Sequence, residues 1–246
     1  MTPPRPPPSA PPPAGEVHLY AGRLDAGAEV VARLRGTLSP EERTLAERRV
    51  TAALRRRAIL SRGLLRIALG GALGKSPAEV ALAVGPHGKP ELADPVAAAR
   101  VAFNLTHTGE AWLLALAPRG PIGVDMEAPR DETDWDALVD RYFSAAEGVV
   151  FRALPPDRRQ EAFFRTWATK EAFLKARGSG LTTPLRDFDV VVDPDQPVGL
   201  EAVRIAAESP SAWWVREVPG MGAPTVVVGR GPAPRLRTME LSPDLD

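Results

Sequence analysis

The sequence predicts an α+β protein, because helix and strand patterns are interspersed along it without strict alternation. Apolar residues with a period of two indicate strands, and capping residues ahead of longer periodic segments indicate helices. The chain has 246 residues, of which 44% are hydrophobic and 25% charged, as in ordinary globular proteins. That length is enough for one large domain or two small ones.

The composition excludes several functional classes. Lys+Arg and Asp+Glu both total 31, and a chain without net charge is not expected to bind nucleic acid. The absence of cysteine excludes disulfides, zinc–thiolate sites and a thiol nucleophile. No apolar run reaches the ~18 residues of a membrane helix, and the N-terminus lacks the apolar core of a signal peptide. We therefore expect a cytoplasmic protein with no membrane partner.

The N-terminal region begins with a Pro-rich segment over residues 1–15, which predicts a disordered tail. The alternative is a ligand for a Pro-recognising domain. A first strand is predicted over Val17–Tyr20. Ser39–Glu42 forms a capping box with Pro at the first helical position, and it opens a long helical region. Gly70–Gly71 is predicted to stop that region.

The long helical region is rich in arginine. Between Arg23 and Arg66 there are eleven Arg and five acidic residues. Such an excess indicates either a solvated helix face or a wall that binds an anion.

A strand-rich stretch follows. Apolar and other residues alternate over Val101–Thr106, and Ala111–Ala117 is a continuous apolar run typical of a buried strand. Pro118–Pro121 reads as a turn, and Ile122–Glu127 as a returning strand. These two strands are predicted to form a hairpin.

The C-terminal part contains an acidic, helical connection and then a helix over Glu161–Arg177, which Gly178-Ser179-Gly180 ends. Three short strands are predicted after it, over Phe188–Val192, Trp213–Val218 and Thr225–Val228.

Asp125 and Glu127 are the first candidates for chemistry. Residues two apart in a strand share a face, so their carboxylates should point together while Met126 faces the core. Paired carboxylates repel unless a cation joins them, and carboxylate oxygens suit Mg²⁺. The alternative is an exposed strand end with two solvated acids.

A second candidate lies on the predicted helix, where Trp167, Glu171 and Lys175 are spaced by four and so share a face. The carboxylate could hold a metal or take a proton, and the ammonium could neutralise phosphate. The alternative is a solvated Glu–Lys pair beside a core tryptophan. His107 could donate to a phosphate or serve as a structural histidine, and Gly88-Lys89-Pro90 is a turn that presents one lysine.

Taken in order, Gly-Lys-Pro at 88–90, Phe-Asn-Leu-Thr-His at 103–107, Ile-Gly-Val-Asp-Met-Glu at 122–127 and Trp-x-x-Lys-Glu-Ala-x-x-Lys at 167–175 resemble the motifs of the 4′-phosphopantetheinyl transferases. The resemblance is to the larger, monomeric type that activates surfactin and related synthetases. It implies an enzyme that transfers the phosphopantetheine arm of coenzyme A to a serine of an apo acyl or peptidyl carrier protein, releasing adenosine 3′,5′-bisphosphate.

The resemblance also implies roles for particular residues. It assigns Asp125, Glu127 and Glu171 as Mg²⁺ ligands, for which Mn²⁺ could substitute. It assigns contacts to coenzyme A or its phosphates to Arg57, Gly88, Lys89, Pro90, Thr106, His107 and Lys175. It makes Glu171, Lys175 and His107 the catalytic residues. Glu42 and Leu45 depart from the family, which has basic residues at these positions.

The implied architecture is two similar α/β halves related by a pseudo-twofold axis, over residues 16–118 and 119–246. The first half would bind coenzyme A and the second would carry the Mg²⁺ site and the catalytic helix, with the coenzyme in the cleft between them. Two alternative functions are a non-catalytic coenzyme A or carrier-protein binding module and a metal-dependent phosphohydrolase. The sequence does not name the carrier protein.

Overall fold

The computed structural model describes residues 10–85, 88–130 and 134–243, without the side chain of Leu181. Helices and strands are mixed along the chain, which confirms the α+β prediction. The helices are α1 (Ala28–Thr37), α2 (Pro40–Glu47), α3 (Ala52–Leu73), α4 (Pro95–Ala98), α5 (Trp135–Tyr142), α6 (Ala145–Ala153) and α7 (Pro156–Arg177). The strands are β1 (Glu16–Arg23), β2 (Leu82–Val84), β3 (Pro90–Leu92), β4 (Ala102–Thr108), β5 (Ala111–Ala117), β6 (Ile122–Met126), β7 (Phe188–Val190), β8 (Leu200–Val203), β9 (Trp213–Glu217), β10 (Thr225–Arg230) and β11 (Arg235–Glu240).

The chain divides into two compact units. The first contains the described residues of Met1–Phe103, Gly109–Arg119 and Arg235–Asp246, and the second contains Asn104–Thr108 and Gly120–Pro234. The predicted halves met near Pro118–Pro121, where the chain does pass from one unit to the other. The units differ from those halves because β11 returns to the first unit and most of β4 belongs to the second.

The first unit is built around a sheet in the order β11-β1-β5-β4. Strands β11, β1 and β5 lie in this unit, whereas β4 contributes only Ala102 and Phe103 to it. β1 runs parallel to β11 and antiparallel to β5. β5 is buried along nearly its whole length, as its continuous apolar run predicted. Helix α3 lies against this sheet, and the indole N–H of Trp112 donates to Ser61 Oγ at 3.0 Å.

The helical region of the first unit starts and breaks as local signals dictate. Ser39 caps α2 in a capping box with Glu42, which confirms that prediction. The predicted stop at Gly70–Gly71 is wrong, since α3 continues to Leu73 and ends at Gly74, whose φ of 66° is left-handed. Gly70 instead permits close packing, because a Cβ there would lie 2.7 Å from the Lys75 carbonyl oxygen.

The predicted tail lies partly in the described residues. Pro12 is buried. The Pro13 carbonyl accepts the N–H of Glu16 at 3.1 Å, and the Gly15 carbonyl accepts the N–H of Arg235 at 2.8 Å. Packing therefore begins before residue 16, and residues 1–9 lie outside the described residues.

The second unit is built around a three-stranded sheet in the order β6-β10-β9, on which helix α7 packs. The hairpin predicted between β5 and β6 is wrong, because β6 pairs with β10 in antiparallel register from Met126↔Thr225 to Ile122↔Gly229. The Pro-rich turn after β5 carries the chain into the other unit. β6 is therefore an edge strand of its own sheet, and that position is important for the site.

Helix α7 is anchored at its centre by a buried ion pair. Lys170 Nζ lies 2.8 Å from Glu147 Oε1 on α6, and neither side chain is appreciably exposed. The same ammonium donates to the carbonyls of Leu185 and Phe188, and Glu147 also accepts the N–H of Val190. The free-energy cost of taking a charge out of water is offset only when its polar atoms are hydrogen-bonded in this way.

Candidate active site

A pocket of about 320 Å³ lies within the second unit, between the end of β4, the end of β6 and one face of α7. Its lining includes six of the predicted site residues. The residues that line it are Leu105, Thr106, His107, Thr108, Asp125, Met126, Glu127, Glu171 and Lys175. The strand and helix patterns thus bring the predicted carboxylates and the predicted lysine to one place.

Gly123 determines how closely α7 approaches β6. A Cβ at this position would lie 2.1 Å from the Ala172 carbonyl oxygen and 2.4 Å from the Ala176 nitrogen, both of them backbone atoms. Only glycine permits such an approach. It brings Lys175 to β6, where its ammonium donates to the Val124 carbonyl at 3.3 Å.

Asp125 is buried and accepts its hydrogen bonds on one oxygen. Lys175 Nζ lies 2.6 Å from Oδ1, and the Thr106 hydroxyl donates to the same Oδ1 at 3.2 Å. Oδ2 is buried and has no hydrogen-bond partner in the described part of the chain. An unsatisfied buried carboxylate oxygen is unfavourable unless a donor or a cation meets it.

The two other carboxylates are less buried, and their electrostatics reflect a crowded site. Burial raises the pKa of Glu127, and the negative charge of Asp125 raises it further. Burial likewise raises the pKa of Glu171, and the negative charge of Asp125 raises it further. The Lys175 ammonium lowers it. Each ionised glutamate is therefore disfavoured by its neighbour, and a bound cation would relieve that repulsion.

These residues fit a hard cation by their chemistry. Oxygen ligands from three carboxylates are the kind that Mg²⁺ prefers, and Asp125 Oδ2 is an unused oxygen among them. They are not already gathered as a cage, because no group of three or more His, Cys, Asp or Glu side chains within residues 10–85, 88–130 and 134–243 is placed to hold a metal.

β4 extends two residues beyond the predicted end at Thr106, so His107 lies within the strand. His107 is exposed and lines the pocket, where a phosphate group could reach it. Trp167, the third residue of the predicted helix face, lies away from the pocket lining. Its ring packs against Tyr142 and Phe163, which makes it part of the aromatic core.

The remaining predicted residues lie in the first unit. Gly88, with a φ of 78°, lies between β2 and β3, and Lys89 and Pro90 follow it. The Lys89 carbonyl accepts the N–H of Gly85 at 2.8 Å. Arg57 lies on α3, 3.7 Å from Glu110, and its Nε is buried without a hydrogen-bond partner among the residues that the structure describes.

Glu42, which the resemblance matches to a basic position of the family, has a structural role in the first unit. Its carboxylate completes the α2 capping box and accepts from Arg66 Nε at 2.7 Å. Arg62 Nε lies 3.5 Å from its other oxygen. Part of the local arginine excess is therefore neutralised inside the unit.

Asn104 lies beside the site, and the motif at residues 103–107 contains it without assigning it a role. Its side chain is buried, and its Oδ1 accepts the N–H of Val124 at 2.8 Å. The available signal was its phase in the strand, since Asn104 and Thr106 are two residues apart and share a face.

The comparisons with known proteins agree with this geometry. Residues 121–227 match the family model described as the 4′-phosphopantetheinyl transferase superfamily. The chain is 37% identical over 186 residues to the 4′-phosphopantetheinyl transferase HetI of Nostoc sp., an alignment that covers 76% of this chain and 78% of HetI.

Two proteins from Bacillus subtilis are also similar. One, named 4′-phosphopantetheinyl transferase, is 32% identical over 74% of this chain and 79% of its own length. The other, the 4′-phosphopantetheinyl transferase Sfp, is 28% identical over 69% of this chain and 73% of its own length. As the order of its motifs predicted, the chain belongs to the 4′-phosphopantetheinyl transferase superfamily and is a phosphopantetheinyl transferase.

Proposed function

We propose that this protein uses the pocket of its second unit to transfer the 4′-phosphopantetheine arm of coenzyme A to a serine of an apo-carrier protein. Asp125 carries the proposal, because its buried carboxylate leaves one oxygen unused beside two further carboxylates and a lysine. Cleavage of a pyrophosphate requires charge neutralisation at the bridging and leaving oxygens. The carrier supplies the hydroxyl, so the enzyme needs no activated serine or cysteine of its own.

The cation of this reaction would be Mg²⁺, with Mn²⁺ as a substitute, held by Asp125, Glu127 and Glu171. When bound, it neutralises negative charge on the pyrophosphate. Glu171 accepts the proton of the carrier serine, directly or through one water. Lys175 and His107 stabilise the negative charge of the phosphates, and Lys175 also holds Asp125 in place at 2.6 Å.

The coenzyme contacts of Arg57, Gly88, Lys89, Pro90 and Thr106 remain proposals of the resemblance. The pseudo-twofold relation of the two halves and the monomeric state remain proposals on the same ground. The cytoplasmic location remains a proposal that rests on the composition and the hydropathy pattern. Among the described residues, no helix is long and apolar enough to cross a bilayer.

The direct test is a transfer assay with coenzyme A, Mg²⁺ and a panel of apo-carrier proteins, read by the mass of the carrier. A transferase adds phosphopantetheine to a carrier and releases the bisphosphate only when a carrier is present. A binding module would give no mass gain on any carrier. A phosphohydrolase would consume coenzyme A without a carrier, and either result would contradict the proposal.

The same assay tests the site through Asp125→Ala. We expect transfer to fall by roughly a thousand-fold, because a lost cation ligand removes several kcal/mol of charge stabilisation. Asp136→Ala is the matched control, since Asp136 is an exposed residue of α5 and pairs only with Arg152 among the described contacts. Near-normal turnover of Asp125→Ala at saturating Mg²⁺ would refute the assignment.

A further inference from the structure

At the edge of β6, side chains and not another strand bond to the backbone of Val124. An edge strand has backbone N–H and C=O groups that no neighbouring strand pairs. Where these groups are buried, they need other hydrogen-bond partners. At Val124 the N–H donates to Asn104 Oδ1 at 2.8 Å and the carbonyl accepts from Lys175 Nζ at 3.3 Å. Asn104 thereby fastens its segment of β4 to β6 one residue before Asp125.

Thr106 lies two residues after Asn104 and on the same face of β4. Both side chains are buried, as is Asp125, with exposed fractions of 4 to 5%. With Asn104 held at Val124, the Thr106 hydroxyl meets Asp125 Oδ1 at 3.2 Å. The two contacts form consecutive bridges between β4 and β6, which belong to different sheets.

The donors around Asp125 are distributed unevenly. A carboxylate has about four acceptor sites over its two oxygens. Thr106 and Lys175 both use Oδ1, whereas Oδ2 is buried with no hydrogen-bond partner in the described ranges. A carboxylate held through one oxygen has a fixed rotation about its Cβ–Cγ bond, so the other oxygen is the one left for a cation.

We propose that Thr106, held in place by Asn104, is a positioning residue that fixes the rotation of Asp125 and leaves Oδ2 as the cation-binding oxygen. The inference rests on the cation requirement of the proposed function. It revises the predicted role of Thr106, because the Thr106 hydroxyl donates its hydrogen bond to Asp125 and not to a phosphate of coenzyme A. Groups that orient a metal ligand typically contribute 10- to 100-fold in metal affinity or activity.

Two substitutions separate the hydroxyl from the shape of the side chain. Thr106→Val removes the donor and keeps the volume, and Thr106→Ser keeps the donor. The matched control is Thr169→Val, which removes another buried threonine hydroxyl of the same unit, one that donates to the Arg165 carbonyl at 2.8 Å within α7. Thermal unfolding of all variants shows that each is folded.

The readout is Mn²⁺ binding to the full-length protein in the presence of coenzyme A, followed by the electron paramagnetic resonance signal of free Mn²⁺. We expect Thr106→Val to weaken Mn²⁺ binding by about 10- to 100-fold. Thr106→Ser should restore the affinity to within about threefold, and Thr169→Val should leave it unchanged. Calorimetric binding of coenzyme A without metal should be nearly the same for the wild type and Thr106→Val.

Other results would overturn the inference in distinguishable ways. Unchanged Mn²⁺ affinity in Thr106→Val, with wild-type protein that binds Mn²⁺, would show that Thr106 does not orient Asp125. Weaker coenzyme A binding without metal, at unchanged Mn²⁺ affinity, would return the hydroxyl to the phosphate. Wild-type transfer without any divalent cation would refute the proposed cation itself, and the positioning role with it.

Discussion

Charge is arranged asymmetrically around Asp125, and it shifts the pKa values of the neighbouring glutamates. Lys175 compensates one oxygen of the aspartate at 2.6 Å, and the pKa values of Glu127 and Glu171 are both raised, first by burial and then by the Asp125 charge. The three carboxylates therefore outnumber Lys175 and Arg130, the two cations that lower the pKa of Glu127. A dianionic pyrophosphate would add to that excess, and the proposed cation would offset it.

Glu171→Gln should lower the rate of the chemical step while coenzyme A binding largely survives. The amide keeps the volume and one ligand oxygen but removes the charge and basicity, and a lost general base typically costs 10²- to 10⁴-fold. Single-turnover kinetics beside calorimetric titration with coenzyme A and Mg²⁺ would measure the two effects separately. The control is Glu161→Gln on the same helix, where the glutamate is exposed and pairs with Arg158. Weaker binding at an unchanged chemical rate would contradict the role of Glu171 as the base.

The elements of the site were largely predictable because their signals are local. The i, i+4 spacing placed Glu171 and Lys175 on one helix face, and Gly178 ends α7 in the left-handed conformation, with a φ of 73°. The partner of β6 was not predictable, because pairing depends on contacts distant in the chain. A Pro-rich turn between two apolar runs looks like a hairpin whether or not the strands pair, and here the chain crosses into the other unit.

The close packing of helix α7 on strand β6 can be tested by substituting Gly123. Gly123→Ala should push the helix backbone away from the strand, since the added Cβ would lie 2.1 Å from the Ala172 carbonyl oxygen. Lys175 would then lose its contacts with Val124 and Asp125. We expect a loss of about 1–3 kcal/mol in unfolding free energy. We also expect Gly123→Ala to lose more transfer activity than a variant of the same unit with an equal loss of stability.

The matched control is Gly229→Ala, whose Cβ would lie 2.4 Å from the ring of Trp214, a side chain on β9 of the same sheet. Both variants overpack the unit, but only the first displaces the helix that carries Glu171 and Lys175. The melting temperature of each variant is measured, and their transfer rates are compared at a temperature below both transitions. Equal activity losses at equal melting temperatures would show that Gly123 affects stability alone.

The whole chain forms two units that are not consecutive in sequence. The first unit is completed by its last segment, where β11 pairs in parallel with β1 from Glu16↔Arg235 to Ala21↔Glu240. Nothing local could have predicted this, because the alternation of Arg235–Glu240 is weak and its strand is mostly exposed. The sequence did predict the α+β class, and the family motifs named six of the residues that line the pocket, because each of these signals is local.

A consequence of this topology is that the end of the chain stabilises the beginning. Leu241 follows β11, is fully buried, and its N–H donates to the Ala21 carbonyl at 2.8 Å. Leu241→Ala removes buried methyl groups and leaves a cavity, which typically costs 2–5 kcal/mol. For a chain of this size, each kcal/mol lowers the melting temperature by about 2–4 °C. We therefore expect a fall of roughly 5–15 °C, measured by calorimetry. Leu45→Ala on α2 is the control, because that leucine is 51% exposed and its loss should move the transition by no more than about 2 °C. If the two variants melt together, the C-terminal segment does not contribute to the stability of the first unit, and the return of the chain to β1 is wrong.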